Sequence, residues 1–296
     1  MTGASQTADV AVVIPTYNHA RFLPAAIESV LAQTLQPAEI IVVDDGSSDN
    51  PGEVTKAFSG VRLIRQQNRG LAAARNAGLR ASSASHLLFL DADDQLRPEA
   101  IEYGLSLLDH DPEAAFAYSA YEIVEAGEAF PVEFRPAPPD AFRAFLGENL
   151  IGMHGTVLYR REPLEQTGGF RESLRACEDY DLYLCLSERH PVICGPQVTA
   201  QYWHHGGNMS QDPRFMLQWA LAVLEHWREP AKRAGAMAEL EAGRRLWKSH
   251  YSTVWARGLR SGPDLRWLRK GAGIARLAPR QLAGAIVRGV GKALRR

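Results

Sequence analysis

The chain has 296 residues, of which 46% are hydrophobic and only three are cysteines, with 33 Lys+Arg against 34 Asp+Glu and a formal net charge of −1. This apolar content excludes collagen-like and disordered chains, and the scarcity of cysteine excludes a disulfide-rich secreted scaffold. Cys177, Cys185 and Cys194 have no C-x-x-C spacing, so we expect buried free thiols rather than a zinc site.

The distribution of apolar and charged residues predicts the cellular location. Residues 1–10 lack the basic start and apolar core of a secretory signal. Residues 190–211 form the longest stretch without Asp, Glu, Lys or Arg, but their His and Gly residues exclude a membrane span. We therefore expect a cytoplasmic protein.

Strand and helix patterns alternate through the first 95 residues. We predict strands at 9–14, 39–43, 61–64 and 86–90, and helices at 19–33 and 71–79. This alternation favours an α/β fold with a mostly parallel, mixed sheet flanked by helices.

The rest of the chain changes character along its length. We predict strands at 116–124 and 156–160, an irregular proline-rich loop at 130–140 and a helix at 178–188. After Pro213 the pattern is helical to about residue 260, with breaks at Gly262-Pro263 and at Pro279. We divide the chain into a catalytic domain, 1–212, and a helical extension, 213–296.

Polar segments follow three of the predicted strands. They are 15–18 (PTYN), 44–49 (DDGSSD) and 91–94 (DADD). In open α/β sheets ligands bind beyond the carboxyl ends of the strands, so these segments should converge on one edge.

The segment DADD carries the strongest chemical signal. Asp91 and Asp93, two residues apart at a strand end, can both reach one hard cation such as Mg²⁺ or Mn²⁺, with substrate phosphates completing its shell. The alternative is a polar turn, although adjacent carboxylates repel one another unless something offsets their charge.

Other candidate binding residues surround this signal. Asp45 can accept from a nucleobase imide or a ribose hydroxyl, or belong to an Asx-type turn, and Tyr17 can stack on a base or pack in its own turn. At 68–78 a polar turn opens a small-residue helix, in which Arg75 offers a cation to phosphate, or alanines make a close contact with the sheet.

Two segments of the second half add candidate catalytic groups. Glu178 and Asp179 open a helix, where the dipole favours carboxylates whatever their function and where one of them can serve as a general base. Residues 202–210 (YWHHGGNMS) form a Gly-containing aromatic loop that can fold over a ligand, with His205 near phosphate or metal.

Together these motifs resemble a family 2 glycosyltransferase of GT-A fold. The matching segments are VVIPTYN (12–18), IIVVDDGSSDN (40–50), NRGLAAARNAGL (68–79), FLDADD (89–94), GGFRESLRACEDYDL (168–182) and Y-x-x-H-x-x-N-x-S (202–210). They cover residues 9 to about 212 in the family's order. The chain departs from the family's G-F-D-E at Arg171, which we expect to be exposed and harmless, and Asp94 is an additional carboxylate.

The resemblance implies a set of residue roles around a nucleotide-sugar donor, UDP-linked in most members. Pro15, Tyr17, Asp45, Arg75, Asp91 and His205 would bind the donor, Asp93 and Asp91 would hold Mg²⁺ or Mn²⁺, and Asp179 with Glu178 would supply the catalytic carboxylates. A hydroxyl of a glycan or lipid-linked acceptor would attack the anomeric carbon and invert its configuration. Nucleic acid is not an expected partner.

Two other functions compete with this prediction. A sugar-phosphate nucleotidyltransferase would have a Gly-rich basic loop after the first strand, where this chain has PTYN. A catalytically silent sugar-binding protein would be expected to have lost Asp93 or Asp179, and both are present.

The C-terminal end predicts a further partner. Residues 257–296 hold 11 basic residues and one acidic residue, Asp264. Drawn as a helix, residues 280–296 separate Arg288, Lys292, Arg295 and Arg296 from Leu282, Ile286, Val287, Val290 and Leu294. Such a helix is typical of an anionic membrane interface on the inner face of the membrane, and packing on the domain with a solvated basic face is the alternative.

Overall fold

A computed structural model describes residues 7–206, 208–259 and 265–293. Contacts divide the chain into two compact units. Unit 1 comprises residues up to 141 and 150–205, and unit 2 comprises 142–149 and the residues from 206 onward. The predicted domain boundary at residue 212 stays a prediction.

The predicted elements appear in the predicted order, and elements that were not predicted, such as the helices Pro51–Thr55 and Ala100–His110, lie between them. The strands are β1 Thr7–Thr16, β2 Gln36–Asp44, β3 Val61–Arg65, β4 His86–Phe89, β5 Gln95–Leu96, β6 Phe116–Glu125, β7 Glu128–Pro131, β8 Val157–Arg160 and β9 Val192–Trp203. The helices are α1 Leu23–Leu31, α2 Pro51–Thr55, α3 Leu71–Ala81, α4 Ala100–His110, α5 Ala141–Gly147, α6 Arg161–Gln166, α7 Glu178–Ser187, α8 Pro213–His226, α9 Arg228–Arg233, α10 Met237–Gly258, α11 Leu265–Leu277 and α12 Pro279–Ala293, with short 3₁₀ turns at His154–Thr156 and Met209–Gln211.

Nine strands of the described residues form one mixed sheet. Its order is β3-β2-β1-β4-β8-β6-β9-β5, with β7 paired to β6. The neighbours β3, β2, β1 and β4 are mutually parallel, whereas β8 is antiparallel to both β4 and β6. Burial on both faces explains the continuous Val and Ile runs of β1 and β2. The predicted α/β fold with a mixed sheet and a helical C-terminal part is confirmed.

The two faces of the sheet are covered by different helices. On one face Val10, Val12 and Ile14 of β1 pack in a cluster with α1 and α4. On the other face α3 lies so close that a Cβ at Gly78 would come within 2.2 Å of Val13 Cγ1. The small residues of α3 therefore serve a close helix–sheet contact, which is one of the two alternatives for that segment.

The long strand β9 is the largest difference from the predicted elements. Residues 202 and 203, predicted to begin a loop, continue β9, which pairs in parallel with β6 and antiparallel with β5. The segment also contains Gly195 and Pro196, which weaken a strand pattern in the sequence. Similarly, residues 130 and 131 belong to β7, although the proline-rich stretch was predicted to be irregular.

Unit 2 is built from helices around its own apolar core. The core contains Leu217 of α8, Tyr251 and Trp255 of α10, Ile274 of α11 and Leu282 of α12. The predicted break at Pro279 is confirmed because α12 begins there. The predicted break at Gly262-Pro263 lies outside the described residues.

The predicted apolar face of the C-terminal helix is partly buried and partly exposed to solvent. Leu282 is 6% exposed and packs in the unit 2 core, whereas Ile286 and Val287 are 37% and 70% exposed. The side chains of Val290, Lys292, Leu294, Arg295 and Arg296 lie outside the described part. Among the residues described, no helix combines the length and the apolarity that a bilayer crossing requires.

The cysteines agree with part of the prediction. Cys177 is buried, and Cys185 and Cys194 are partly buried, all three with free thiols.

Candidate functional site

The first two polar segments meet at the carboxyl ends of β1 and β2. The Asn18 backbone N–H donates to Ser47 Oγ at 3.0 Å, and the Ala20 N–H donates to Asp49 Oδ2 at 2.8 Å. The third segment reaches the same place, because His19 Nδ1 lies 3.9 Å from Asp93 Oδ2. The predicted convergence of the three strand ends is confirmed.

Asp44 and Asp45 have different surroundings. Asp44 Oδ1 accepts from the Ser47 N–H at 2.8 Å, which is the Asx-type turn considered for this segment. Asp45 accepts at Oδ1 from Gln66 Nε2 and the Arg69 N–H, and at Oδ2 from the Gly70 N–H, at 2.7 to 2.9 Å. Asp45 therefore fixes the loop that leads from β3 into α3.

Tyr17 and Pro15 differ in exposure although they lie two residues apart. Tyr17 is 49% exposed, so its ring is accessible to a planar ligand. Pro15 is buried in β1 and is paired in register with Val43 of β2. Contact with a ligand through the Pro15 side chain is therefore not favoured by its burial.

Three carboxylates follow β4 within four residues. Asp94 is 3% exposed and accepts the Trp203 N–H at 3.0 Å, so it ties this turn to the end of β9. Asp91 is the most accessible, with 34% of its side chain exposed, and Asp93 is 11% exposed. Burial and the charge of Asp91 raise the pKa of Asp93, and burial followed by Asp91 and Asp93 raises that of Asp94 well above its usual range.

Asp93 is bracketed by two histidines. Its Oδ2 lies 3.0 Å from His205 Nε2 and 3.9 Å from His19 Nδ1. The His205 ring stacks on Phe22, with ring centroids 4.4 Å apart. His205, predicted to approach a phosphate or metal, thus adjoins the predicted metal ligand. His19 was not among the predicted residues, and its position directly after the motif PTYN is the signal that could have identified it.

Arg75 connects the acidic turn to the start of α7. Its guanidinium donates to Asp91 Oδ1 and to Glu178 Oε1, each at 2.7 Å, and its side chain is only 2% exposed. Burial opposes the charge of Arg75, but Asp91 and Glu178 outweigh it and raise its pKa. Such a buried cation is stable only because both partners are present.

Glu178 and Asp179 lie side by side but face different surroundings. Glu178 is 3% exposed and is held by Arg75, and burial raises its pKa to about 7 although Arg75 opposes the shift. The Asp179 side chain is 29% exposed and accepts the Tyr180 N–H at Oδ1. Burial also raises the pKa of Asp179, again against Arg75. Of the two carboxylates, Asp179 is the one that solvent or substrate can reach.

The backbone before α7 is held in a rare conformation. Cys177 has φ +61°, a left-handed value that non-glycine residues seldom adopt. Strain of this kind persists where the surrounding structure enforces it and is common at functional sites. Here it orients the first turn of α7, which carries Glu178 and Asp179.

The segments 68–79 and 168–172 contact each other directly. The Asn76 side chain donates to the Phe170 carbonyl and accepts the Phe170 N–H, both at 2.8 Å. A Cβ at Gly169, whose φ is +77°, would lie 2.5 Å from Asn76 Oδ1. Asn76 of the first segment is therefore held by Gly169 and Phe170 of the second, and this contact positions the neighbouring Arg75.

The departure from the family pattern at Arg171 is not the exposed substitution that was expected. Arg171 Nε donates to Asp181 Oδ2 at 3.0 Å, and the Arg171 side chain is 31% exposed. The cause is its position opposite the first turn of α7, where Asp181 is buried and requires a partner.

The oxygen donors at the end of β4 fit a divalent cation in part. Asp91 and Asp93 present carboxylate oxygens, which Mg²⁺ and Mn²⁺ prefer, and the pKa of Asp93 is raised by burial and then by the charge of Asp91, both of which a cation would offset. Within the described ranges, no three His, Cys, Asp or Glu side chains are arranged to hold an ion. The donor set therefore suits an ion that takes other ligands from substrate phosphates.

Comparison with known proteins identifies the family. Residues 11–168, more than half of the chain, match the family described as Glycosyl transferase family 2. An uncharacterized glycosyltransferase of Haemophilus influenzae is 34% identical over 181 residues, which cover 60% of this chain and 61% of that protein. The chain thus spans about three fifths of the length of this relative.

Solved structures share the fold at low sequence identity. Staphylococcus aureus TarS 1-349 in complex with UDP-GlcNAc aligns with a TM-score of 0.67 and 18% identity over 94% of this chain and 83% of that one. The mannosyltransferase PcManGT of Pyrobaculum calidifontis, in complex with GDP-Man and Mn²⁺, aligns with a TM-score of 0.61 and 18% identity over 97% and 87%. The family match and this shared architecture lead to one conclusion: the chain belongs to glycosyl transferase family 2 and has the GT-A fold.

Proposed function

We propose that this chain is an inverting glycosyltransferase that moves a sugar from a nucleotide-diphosphate donor, UDP-linked by preference, to a hydroxyl of a glycan or lipid-linked acceptor. One observation carries the proposal. Arg75 joins Asp91, beside the predicted metal ligand Asp93, to Glu178, beside the predicted base Asp179, through two bonds of 2.7 Å. These two bonds hold the proposed donor-binding carboxylates and the proposed base together within unit 1, which supports the proposal.

At the donor end, the nucleoside would lie over the ends of β1 and β2. The accessible Tyr17 ring would stack on the base, and Asp45 with its bonded backbone at Arg69 and Gly70 would define the edge of the base site. The TarS complex with UDP-GlcNAc supports a uridine donor, and the mannosyltransferase complex with GDP-Man keeps guanosine as the alternative.

Asp93 and Asp91 would hold a Mg²⁺ or Mn²⁺ ion, and the Mn²⁺ of the mannosyltransferase complex supports this assignment. Such an ion, when bound, neutralises the negative charge that develops on a diphosphate leaving group. His205, which stacks on Phe22 and contacts Asp93, would donate a hydrogen bond to the diphosphate.

Asp179 would act as the general base. It removes the proton from the acceptor hydroxyl while the hydroxyl oxygen bonds to the anomeric carbon from the face opposite the diphosphate. The bond from the anomeric carbon to the diphosphate oxygen breaks in the same step, and its electron pair leaves with the nucleoside diphosphate. This single displacement through an oxocarbenium-like transition state inverts the anomeric configuration.

Arg75 and Glu178 would act through their neighbours. Arg75 is buried and bonded to two carboxylates, so its charge reaches the diphosphate site by holding Asp91 rather than by direct contact. Glu178 is enclosed with Arg75 and would fix the position of that guanidinium. Transfer of a proton to Glu178 from an acceptor is disfavoured by its 3% exposure.

Donor binding tests the proposal. A thermal-shift screen of UDP-, dTDP- and GDP-sugars with Mn²⁺ should identify a donor that raises the melting temperature. Calorimetry with that donor should show binding that depends on Mn²⁺ in the native chain, no such binding in Asp93→Ala, and unchanged binding in Asp109→Ala, an exposed carboxylate of α4. Metal-independent binding in Asp93→Ala would refute the metal assignment, and binding without slow release of free nucleotide would favour the catalytically silent alternative.

We further propose that α11 and α12 bind an anionic membrane at the inner face of the cytoplasmic membrane. Leu265, Leu268 and Val287 are 76%, 46% and 70% exposed, so both helices present large apolar side chains to solvent. The exposed basic residues of the same helices include Arg276, Arg280 and Arg288, and neither helix contains an acidic residue. Exposed apolar groups among basic ones favour adsorption to anionic lipid.

Liposome flotation of the full chain tests this binding. Arg280→Glu/Arg288→Glu and Val287→Ser should each reduce flotation with vesicles of phosphatidylglycerol and phosphatidylethanolamine. Lys56→Glu/Arg80→Glu changes the charge equally at exposed positions of unit 1 and should float like the native chain. Equal flotation of all four proteins would contradict the proposal.

A further inference from the structure

One buried histidine of unit 1 has no part in the function proposed so far. His154 opens the 3₁₀ turn before β8, and its side chain is 2% exposed. The rings of Phe89, Tyr159, Phe170 and Tyr183 surround it at centroid distances of 5.5 to 6.0 Å. Burying an imidazole among aromatic rings is costly unless its nitrogens are used.

The two nitrogens of His154 have different surroundings. Nδ1 lies 3.0 Å from the Tyr183 hydroxyl oxygen and 3.9 Å from Asp179 Oδ2. Nε2 is buried and meets no hydrogen-bond partner within the described portion of the chain. The polar edge of the ring is therefore the one that faces the proposed base.

This environment decides the protonation state. Burial, with the nearby charge of Arg75, lowers the pKa of His154 well below its ordinary value, so the ring is neutral. A lone pair on Nδ1 would face the negative charge of Asp179, whereas a proton there is attracted to it, and the Tyr183 hydroxyl can accept that proton's hydrogen bond. We therefore assign the single ring proton to Nδ1.

We propose that His154 is a positioning residue for Asp179, with its Nδ1–H shared between the Tyr183 hydroxyl oxygen and the Oδ2 side of the carboxylate. This inference rests on the proposed role of Asp179 as the base. The Tyr180 N–H holds Oδ1 at 2.7 Å, so a donor on the other side fixes the rotation of the carboxylate. The present 3.9 Å is longer than a hydrogen bond, and catalytic hydrogen bonds commonly shorten when substrate binds.

The surroundings of Asp179 explain why such a donor is required. Burial and Asp91 raise the pKa of Asp179, and Arg75 opposes them. The titratable and charged groups that face it are Arg75 of α3, Asp91 after β4, Tyr159 of β8, His154, and Cys177, Glu178 and Tyr183 at or near α7. A base must be ionised near neutral pH, and an N–H donor favours the ionised carboxylate.

Three substitutions distinguish the effect of each ring nitrogen of His154 from the effect of its side-chain volume. His154→Asn keeps a donor at the distance of Nδ1 from the backbone, His154→Gln keeps one at the distance of Nε2, and His154→Phe keeps a ring without nitrogen. Melting temperature and the Kd for UDP with Mn²⁺ identify variants that fail to fold, and only folded variants are compared.

Nitrogen NMR of the full chain with labelled histidine tests the tautomer without any substrate. The His154 signals, assigned with His154→Asn, should show a protonated Nδ1 and a bare Nε2 at neutral pH. The opposite tautomer would overturn the proposal, because Nδ1 would then have no proton to direct at Asp179.

Carbon NMR of the Asp179 carboxyl, assigned with Asp179→Asn, tests the effect on the base. The titration midpoint of Asp179 should rise by about one pH unit in His154→Phe and His154→Gln, and much less in His154→Asn. An unchanged midpoint in folded His154→Phe would overturn the proposal, since a packing role alone does not move it.

Turnover distinguishes this inference from the proposed function. With UDP-GlcNAc and Mn²⁺ as the probe, His154→Phe should release UDP about tenfold more slowly at unchanged KM, and the double variant with Asp179→Asn should be little slower than Asp179→Asn alone. Normal turnover in Asp179→Asn would refute the proposed base. If Asp179→Asn is inactive but the titration midpoint of Asp179 is unchanged in His154→Phe, only the role of His154 is refuted.

Discussion

At the scale of single residues, the site is organised by charges that are buried together. Arg75, Glu178 and Asp91 form two short ion pairs, and two of the three residues are almost wholly enclosed. Removing one partner of such a group leaves an uncompensated charge and costs about 3–5 kcal/mol. The motif residues of this family member therefore support the fold of the site as well as its chemistry.

The base assignment gives a prediction for Asp179→Asn. The amide keeps the shape of the side chain but cannot accept a proton, so kcat should fall about 10²–10⁴-fold while the Kd for nucleotide, measured by calorimetry, stays unchanged. Asp181→Asn, two residues along α7 and paired with Arg171, is the matched control and should retain turnover. Similar rates for the two variants would contradict the assignment.

Burial of His154 predicts a loss of stability in acid. Its pKa is lowered in the folded state, so unfolding releases an imidazole that binds a proton once the pH falls below about 6.5. Its contribution to stability is therefore complete above pH 6.5 and declines by up to about 1.4 kcal/mol per pH unit below it. When the pH is lowered from 7 to 5, the melting temperature should therefore fall less in His154→Phe than in the native chain. Parallel losses would count against a buried neutral imidazole.

At the scale of elements, the same residue type has opposite effects in two helices. A Cβ at Gly78 of α3 would overlap Val13 of β1, whereas a Cβ at Gly284 of α12 would meet, among the described residues, only the flexible end of Arg288 at 3.3 Å. The tight contact of α3 with the sheet, and not helix propensity, decides the first position.

We therefore expect Gly78→Ala to destabilise the protein by about 1–3 kcal/mol and Gly284→Ala to stabilise it by about 0.5–1 kcal/mol. Chemical denaturation of both variants measures whether each substitution lowers or raises the free energy of unfolding. Equal effects would mean that α3 does not approach β1 as closely as described.

The strands also show what an element requires beyond its own sequence. β1, β2 and β4 were predicted because buried strands in a parallel sheet are continuous apolar runs. β9 was missed because seven of its twelve residues are only partly buried and its register is set by β6 and β5, which are distant in sequence. The same pairing brings His205 to Asp93 across 112 positions.

At the scale of the whole molecule, the chain contains two units with separate apolar cores. We expect two unfolding transitions in calorimetry, with the donor nucleotide and Mn²⁺ raising only the one that belongs to unit 1. Ligand at 100 times its Kd should add about 2.7 kcal/mol to the stability of that unit. A single transition with equal calorimetric and van't Hoff enthalpies would show that the units unfold together.

The sequence by itself determined the fold class, the family and the strand ends at which the polar motifs lie. It could do so because burial periodicity and turn chemistry are local properties, recorded in a few consecutive residues. Tyr17, Asp91 and Asp93 were predicted to be site residues in this way.

Only the tertiary structure decided which of these groups are accessible and what each one contacts. It enclosed Arg75 and Glu178 while leaving Asp179 within reach, paired Arg171 with Asp181, and brought His154 beside Asp179. These relations join residues up to 103 positions apart, as between Arg75 and Glu178. They depend on packing between β4, β8, α3 and α7, and no local pattern encodes the distance between two side chains that separate elements bring together.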